Sequence, residues 1–120
     1  METNVQHQEQ LQCAEVYISD MWALKSIFLQ LQNTQKVNQD FGIPFLLAKK
    51  KNKIVSFASL ILKEGGIGFK IYPEKEISGT DEKKFFTRVE SYFKKNNTPN
   101  FRNEEQLKSS IQKMISWLNQ

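Results

Sequence analysis

The stretch from Lys53 to Leu62, KIVSFASLIL, constrains the fold more than any other part of this 120-residue chain. It reads as a strand, and its apolar side chains fall on both faces. Such a strand is expected only inside a sheet that is covered by packed elements above and below. The alternation places Ile54, Ala58, Leu60 and Leu62 on one face, and Val55, Phe57 and Ile61 on the other.

Two further strands are predicted beside it. FLLAKK precedes it across Lys51 and Asn52, and asparagine accepts the positive φ that a tight hairpin requires. IGFKIY follows the turn Lys63–Gly66, which predicts a three-stranded antiparallel meander. The glycines of EGGIG lead into a strand and not into a helix, so we interpret them as a hairpin corner rather than a phosphate cradle. Gly68, inside the strand, indicates close packing or a bulge.

The first 41 residues contain no glycine or proline and are rich in helix formers. Two interpretations are open for them. One long helix begins near position 8, or a short strand, AEVYI, precedes a helix capped by Ser19 or Asp20. We favour the helix, because one apolar stripe has helical spacing and needs a surface to pack on. The stripe is Tyr17, Met21, Leu24, Ile27, Phe28 and Leu31, extended backwards by Ile18, Ala14 and Leu11.

The segment NQDFGIP is expected to end this helical region, with Gly42 as its corner. Two helices are predicted after the sheet. The first is capped by Thr80 or Asp81 and carries five apolar side chains on one face: Phe85, Phe86, Val89, Tyr92 and Phe93. The second begins at Asn103, has Gln106 in capping-box position, and buries Leu107, Ile111, Met114, Ile115 and Leu118. The expected fold is one α+β domain over residues 1–120, with residues 1–7 as a mobile tail.

Composition excludes several classes of function. No apolar run is long enough to cross a membrane, and the polar N-terminus does not have the pattern of a signal peptide, so we expect a soluble cytoplasmic protein without membrane contact. One cysteine, Cys13, cannot form an internal disulfide. With His7 as the one histidine, the usual zinc ligand sets cannot be assembled, and no metal site is expected.

The net charge of +4 is unevenly distributed. Residues 1–48 carry two lysines against five acids (net −3), and residues 49–120 carry fifteen basic residues against eight acids (net +7). We interpret this basic excess as an internal complement or a solvated surface rather than a nucleic-acid site. The run KKKNK lies at a hairpin tip and has no exposed aromatic pair for stacking on bases.

One segment resembles a known family. FLLAKKKNKIVSFASLIL and IGFKIYP, followed by a loop with Gly79 and the helix KKFFTRVESYFKKN, resemble the central part of the GNAT acetyltransferases over about residues 45–95. In that family a Gln/Arg-x-x-Gly-x-Gly/Ala loop before the helix binds the pyrophosphate of acetyl-CoA. The resemblance therefore implies acetyl-CoA as cofactor, held by Ser78, Gly79, Thr80, Lys83, Lys84 and Arg88.

The same loop departs from the family pattern. It keeps the first glycine, Gly79, but Glu76 stands where Gln or Arg is expected and Asp81 where a second small residue is expected. NNTPNFRN is also too short and polar for the strand that should follow. We therefore expect a non-catalytic interaction protein that binds a protein partner or a second copy of itself. A GNAT-like acyl-CoA-binding protein, or a degenerate acetyltransferase, is the alternative.

Overall fold

The computed structural model describes residues 10–120 and has an α+β fold. The four strands are β1 (Gln12–Glu15), β2 (Ile43–Lys50), β3 (Lys53–Lys63) and β4 (Gly66–Pro73). The four helices of the described chain are α1 (Met21–Gln32), α2 (Gly79–Lys95), α3 (Pro99–Arg102) and α4 (Glu104–Leu118). Residues 1–7, expected to be a tail, lie outside the described part. No described helix has both the length and the apolar character of a membrane span.

The strands form one antiparallel sheet in chain order, β1-β2-β3-β4. The expected meander of β2, β3 and β4 is confirmed, and β3 is an inner strand. Lys51 and Asn52 turn between β2 and β3 with φ of 55° and 64°. Gly65 and Gly66, with φ of 96° and 136°, form the next corner, which confirms the hairpin interpretation of EGGIG. At Gly68 the aliphatic part of Lys63 lies against the backbone, so the close-packing prediction also holds.

The prediction of three strands was wrong, because β1 adds a fourth. It pairs with β2 from Gln12 opposite Lys49 to Glu15 opposite Leu46. The prediction of one long helix was therefore wrong. As in the other interpretation, a short strand precedes a helix, which begins after Asp20. Tyr17, the first residue of the predicted stripe, and Ile18, in its backward extension, are not buried, since their side chains are 67% and 76% exposed.

Helix α1 ends well before Gly42, the corner at which we expected the helical region to end. It ends where Asn33 adopts the left-handed conformation, with φ of 51°. A 3-10 turn, Gln39–Phe41, then leads to Gly42, whose φ is 63°. A side chain at Gly42 could not fit, because a Cβ atom would lie 2.1 Å from the carbonyl oxygen of Leu60.

Each face of the sheet carries its own core, as the two-faced β3 strand indicated. On the α1 face, Phe28 of α1 packs among aromatic residues, including Tyr72 of β4. On the α2 face, Phe85 and Val89 of α2 pack on Ala58 and Leu60 of β3. Helix α4 joins the two, since Leu107 and Ile111 belong to the α2-face core and Leu118 to the α1-face core.

Two β-bulges change which residues share a face. The pairing of β2 and β3 skips Phe45, so that Phe45 and Leu46 both join the α2-face core. It also skips Val55, so that Val55 packs on the α2 face and Ile54 on the α1 face. The simple alternation predicted for Ile54 and Val55 was therefore wrong, because one extra residue in a strand reverses the faces of all residues beyond it.

The helix caps agree in part with the sequence. The side chain of Ser78 caps α2 by accepting a hydrogen bond from the Asp81 amide at 3.1 Å. The predicted caps, Thr80 and Asp81, therefore do not cap the helix. Asn103 caps α4 as expected and accepts the Gln106 amide at 2.9 Å. NNTPNFRN forms no strand in the described chain. Part of it becomes the short helix α3, whose Phe101 is buried on the α2 face.

Candidate functional site

At the start of α2, where the resemblance implied a pyrophosphate site, two backbone amides and one carboxylate are bonded to groups of the protein itself. The Ser78 side chain accepts a hydrogen bond from the Asp81 amide, and the Ser78 carbonyl oxygen accepts one from the Glu82 amide. The Asp81 side chain is 10% exposed, and its carboxylate lies 2.8 Å from the ammonium group of Lys50. Asp81, which stands where the family pattern has a small residue, is thus a buried and paired part of the first turn.

The surface hollow beside this helix start, about 330 Å³, holds charges of both signs. Its acids are Glu74, Glu76 and Asp81, and its lysines are Lys50, Lys51 and Lys53. The ammonium group of Lys53 lies 2.8 Å from the Glu74 carboxylate, in addition to the pair of Lys50 and Asp81. Because three carboxylates balance three lysines, the hollow has little net attraction for an anion.

The six residues that the resemblance implied do not converge on one point. Ser78, Gly79 and Thr80 lie at the helix start and are exposed. Lys83 is exposed and does not line the hollow that contains Ser78. Lys84 and Arg88 lie on another side of α2, where they line a groove against β1.

This groove, between β1 and α2, has a volume of about 550 Å³. A second hollow of about 360 Å³ shares Cys13 and Arg88 with it and continues toward the helix start. β1 and Leu46 form one side and α2 the other. The side chains that line the two hollows from α2 and its end are Lys84, Arg88, Ser91, Tyr92, Lys95 and Asn96.

The groove runs along the open edge of β1. The Val16 amide donates to the Phe45 carbonyl oxygen, so the backbone of Val16 faces β2. Since backbone groups alternate in direction along a strand, the N–H and C=O groups of Cys13 and Glu15 point away from the sheet. No other described strand lies on that side. The edge can therefore accept a further strand.

The groove is basic on its helical side. Lys84 and Arg88 are four residues apart and lie on one face of α2, and Lys95 continues the line toward its end. Among the described residues that line it, the one acid is Glu15, whose carboxylate accepts a hydrogen bond from the Tyr92 hydroxyl at 2.8 Å. Three cations face one hydrogen-bonded carboxylate, so the groove attracts anionic groups.

The titrating groups of the groove lack the features of an activated nucleophile or base. Burial raises the pKa of the Cys13 thiol, although the adjacent Arg88 guanidinium acts in the opposite direction. Burial, together with the hydrogen bond to Glu15, raises the pKa of the Tyr92 hydroxyl. Both groups are protonated at neutral pH, and neither pKa is lowered toward the reactive thiolate or phenolate form.

Metal ligands are not gathered anywhere in residues 10–120, since no three His, Cys, Asp or Glu side chains come together there. Sequence reasoning missed the groove because it placed β1 in a helix. Arg88 was predicted as a site residue, but for the pyrophosphate site at the start of its helix. The available signal was the alternation of Leu11, Cys13 and Glu15, which face α2 from one side of an extended segment.

Comparisons with known proteins found no matching family model, no matching curated protein and no matching solved structure.

Proposed function

We propose that this protein is a non-catalytic interaction protein that binds an extended acidic segment of a partner protein along β1. The segment lies beside β1 as an additional strand, and its alternate side chains face α2. The observation that carries the proposal is the coincidence of an open strand edge with a basic groove. Backbone hydrogen bonds provide affinity in such a complex, and side-chain contacts provide specificity.

The dimensions of the groove fit a short peptide. Lys84 and Lys95 are eleven residues apart on α2, which corresponds to about 16 Å along a helix. An extended chain covers about 3.3 Å per residue, so about five residues of a partner lie along the groove. β1 has four residues, which match this length.

A peptide fits better than a nucleic acid. Cys13 and Glu15 present backbone donors and acceptors that a strand satisfies and a phosphodiester chain does not. Tyr92, the aromatic residue of the groove, stacks on Phe45 at 5.7 Å between ring centroids and donates its hydroxyl to Glu15, so it is not available for base stacking.

The test uses three synthetic peptides and backbone amide NMR shifts. The first alternates Thr and Glu, the second alternates Thr and Gln, and the third alternates Thr and N-methyl-Glu. We expect saturable shifts at Cys13 and Glu15 with the first peptide only. The second peptide lacks charge. The third keeps the charge but lacks the N–H groups of its Glu residues, which face β1 when the peptide pairs antiparallel with its Glu side chains toward α2.

Matched variants locate the binding. Arg88→Gln should weaken the Thr-Glu peptide several-fold, whereas Lys113→Gln, an exposed lysine on α4, should leave it unchanged. Absence of shifts at millimolar peptide would contradict the proposal. Equal binding of the N-methyl-Glu peptide, or a single-stranded oligonucleotide that binds more tightly than the Thr-Glu peptide, would also contradict it.

The acyl-CoA alternative keeps one favourable observation. β4, a loop and a helix that begins at Gly79 follow one another, and after the Ser78 cap the amide groups of Gly79 and Thr80 remain for a ligand. Against this alternative, the adjacent hollow already balances its lysines with Glu74, Glu76 and Asp81. No described strand lies beside β4 to hold a pantetheine arm.

Thermal unfolding with acetyl-CoA separates the two proposals. A ligand at a hundred times its dissociation constant stabilises by about 2.7 kcal/mol, which is several degrees in a domain of this size. We expect no change in Tm with millimolar acetyl-CoA. A rise of several degrees that is lost in Gly79→Glu and kept in Gly65→Glu would support the acyl-CoA alternative.

A further inference from the structure

The opposite edge of the sheet, β4, presents an apolar surface that the proposed function does not use. The Glu74 amide donates to Val55 of β3, so the backbone of Glu74 faces inward. By alternation, the N–H groups of Ile67, Phe69 and Ile71 point outward. Pro73 follows the same alternation and has no N–H, as is usual at an open edge.

The side chains at these three outward positions are apolar and half-buried, and all three pack on the α2 face. Phe86 of α2 covers them only in part. Its ring centroid lies 5.9 Å from that of Phe69, and the side chain is 46% exposed. An apolar strand edge of eight residues next to an exposed aromatic ring is a surface on which another strand is expected to pair.

The sequence along this edge is self-complementary. Ile67, Phe69 and Ile71 read the same in both directions, so an antiparallel copy centred on Phe69 places Ile67 opposite Ile71 and Phe69 opposite Phe69. All three positions have outward backbone groups, so both chains contribute their donors and acceptors at matched places. A two-fold axis requires such a self-complementary surface.

Lys70, the charged residue of β4, does not block this pairing. It lies on the α1 face, and its ammonium group is 5.4 Å from the ring centroid of Tyr72 in the same strand. The ammonium group is therefore directed along its own chain and away from the apolar side chains at Ile67, Phe69 and Ile71. Opposite Lys70 in the paired register is Gly68, which has no side chain to oppose it.

We propose that two copies of this chain pair through β4, antiparallel and centred on Phe69, to form one continuous eight-stranded sheet. The two Phe86 rings meet beside the paired strands and bury apolar surface on the α2 face. This pairing is independent of the proposed function, because the groove lies at the other end of the sheet and stays open in the dimer.

Sedimentation and light scattering of purified protein over a dilution series test this proposal. We expect a dimer mass at tens of micromolar and dissociation on dilution. Phe86→Glu should give a monomer with an unchanged circular dichroism spectrum, because the side chain is already half exposed. Ile18→Glu, an equally drastic change at a 76% exposed apolar side chain remote from β4, should remain dimeric.

Ile71→Pro provides a second variant, since it removes one outward N–H group at the edge. Its control, Ile71→Ala, removes the side chain but keeps the N–H group. We expect the proline variant to dissociate at concentrations at least tenfold higher than the alanine variant. A monomer at every concentration, a dimer that survives both Phe86→Glu and Ile71→Pro, or a dimer broken by Ile18→Glu would overturn the proposal.

Discussion

The two edges of the sheet differ in length, in charge and in the side chains that lie beside them. β1 has four residues and faces a groove lined by Lys84, Arg88 and Lys95, whereas β4 has eight residues and an apolar outer row with Phe86 beside it. Both edges leave backbone groups unpaired among the described strands. A charged edge selects a partner of opposite charge, and a self-complementary apolar edge selects its own copy. One sheet can thus provide two contacts that do not compete.

The largest effect should come from removing an inward donor of β4. Lys70→Pro removes an N–H group that faces β3, and we expect it to lower the free energy of unfolding by about 2 kcal/mol or more relative to Lys70→Ala. In the monomeric Phe86→Glu background, Ile71→Pro should lower the free energy of unfolding, relative to Ile71→Ala, by clearly less than this. Urea unfolding checks both differences. Equal costs would mean that the outer side of β4 is not an open edge.

Added salt should weaken peptide binding at β1 more than pairing at β4, and this effect should be smaller than that of Lys70→Pro. Raising the salt from about 50 mM to about 500 mM shortens the Debye length from about 14 Å to about 4 Å. We expect the affinity for the Thr-Glu peptide to fall several-fold, because Lys84, Arg88 and Lys95 provide its charge contacts. The dimer constant should stay within twofold. Titration calorimetry and sedimentation measure the two constants, and a dimer that weakens as much as the peptide complex would remove the contrast.

The smallest effect concerns one tyrosine near each edge. Burial of Tyr72, whose hydroxyl donates to the Asp40 carbonyl oxygen, raises its pKa strongly, and Tyr92 in the groove also has a raised pKa. A folded-state pKa above the unfolded value of about 10 stabilises the protein fully at lower pH, and this contribution is lost as the pH rises through the folded pKa. Stability should therefore decline above about pH 10 in wild type.

Tyr72→Phe is the variant that isolates this effect. It should cost about 1 kcal/mol at pH 7 through the lost hydrogen bond and show a flatter decline in alkali. In ultraviolet titration of the wild type, Tyr92 should ionise before Tyr72, because Tyr92 is half-buried and Tyr72 is 2% exposed. The reverse order would contradict the burial assigned to the two rings.

The sequence predicted the parts of the fold that local patterns determine. β2, β3 and β4 were recognised from their apolar runs and turn residues, and α4 from its Asn103 cap. β1 was missed because Leu11, Ala14 and Ile18, in and around it, also fit a helical stripe. Its pairing with β2, about 34 residues away in sequence, decides between strand and helix. The bulges at Phe45 and Val55 were missed for a related reason, since only the register of neighbouring strands shows them.

The candidate site followed from the part that sequence reasoning missed. Lys84 and Arg88 were named as cation positions, but with β1 taken as helix there was no edge for them to face. Their association with Cys13 and Glu15 exists only in three dimensions. The outer row of β4 was visible as alternation, but only the inward Glu74 amide establishes which of its backbone groups point outward.

Amide hydrogen exchange, read residue by residue on one sample series, tests the contrast between the two edges most directly. We expect the amides of Ile67, Phe69 and Ile71 to become protected as protein concentration rises, and those of Gly68 and Lys70 to be protected throughout. The amides of Cys13 and Glu15 should become protected only when the Thr-Glu peptide is added. Uniform exchange along β4 at all concentrations, together with no response at Cys13 and Glu15, would contradict the assignment of a different partner to each edge.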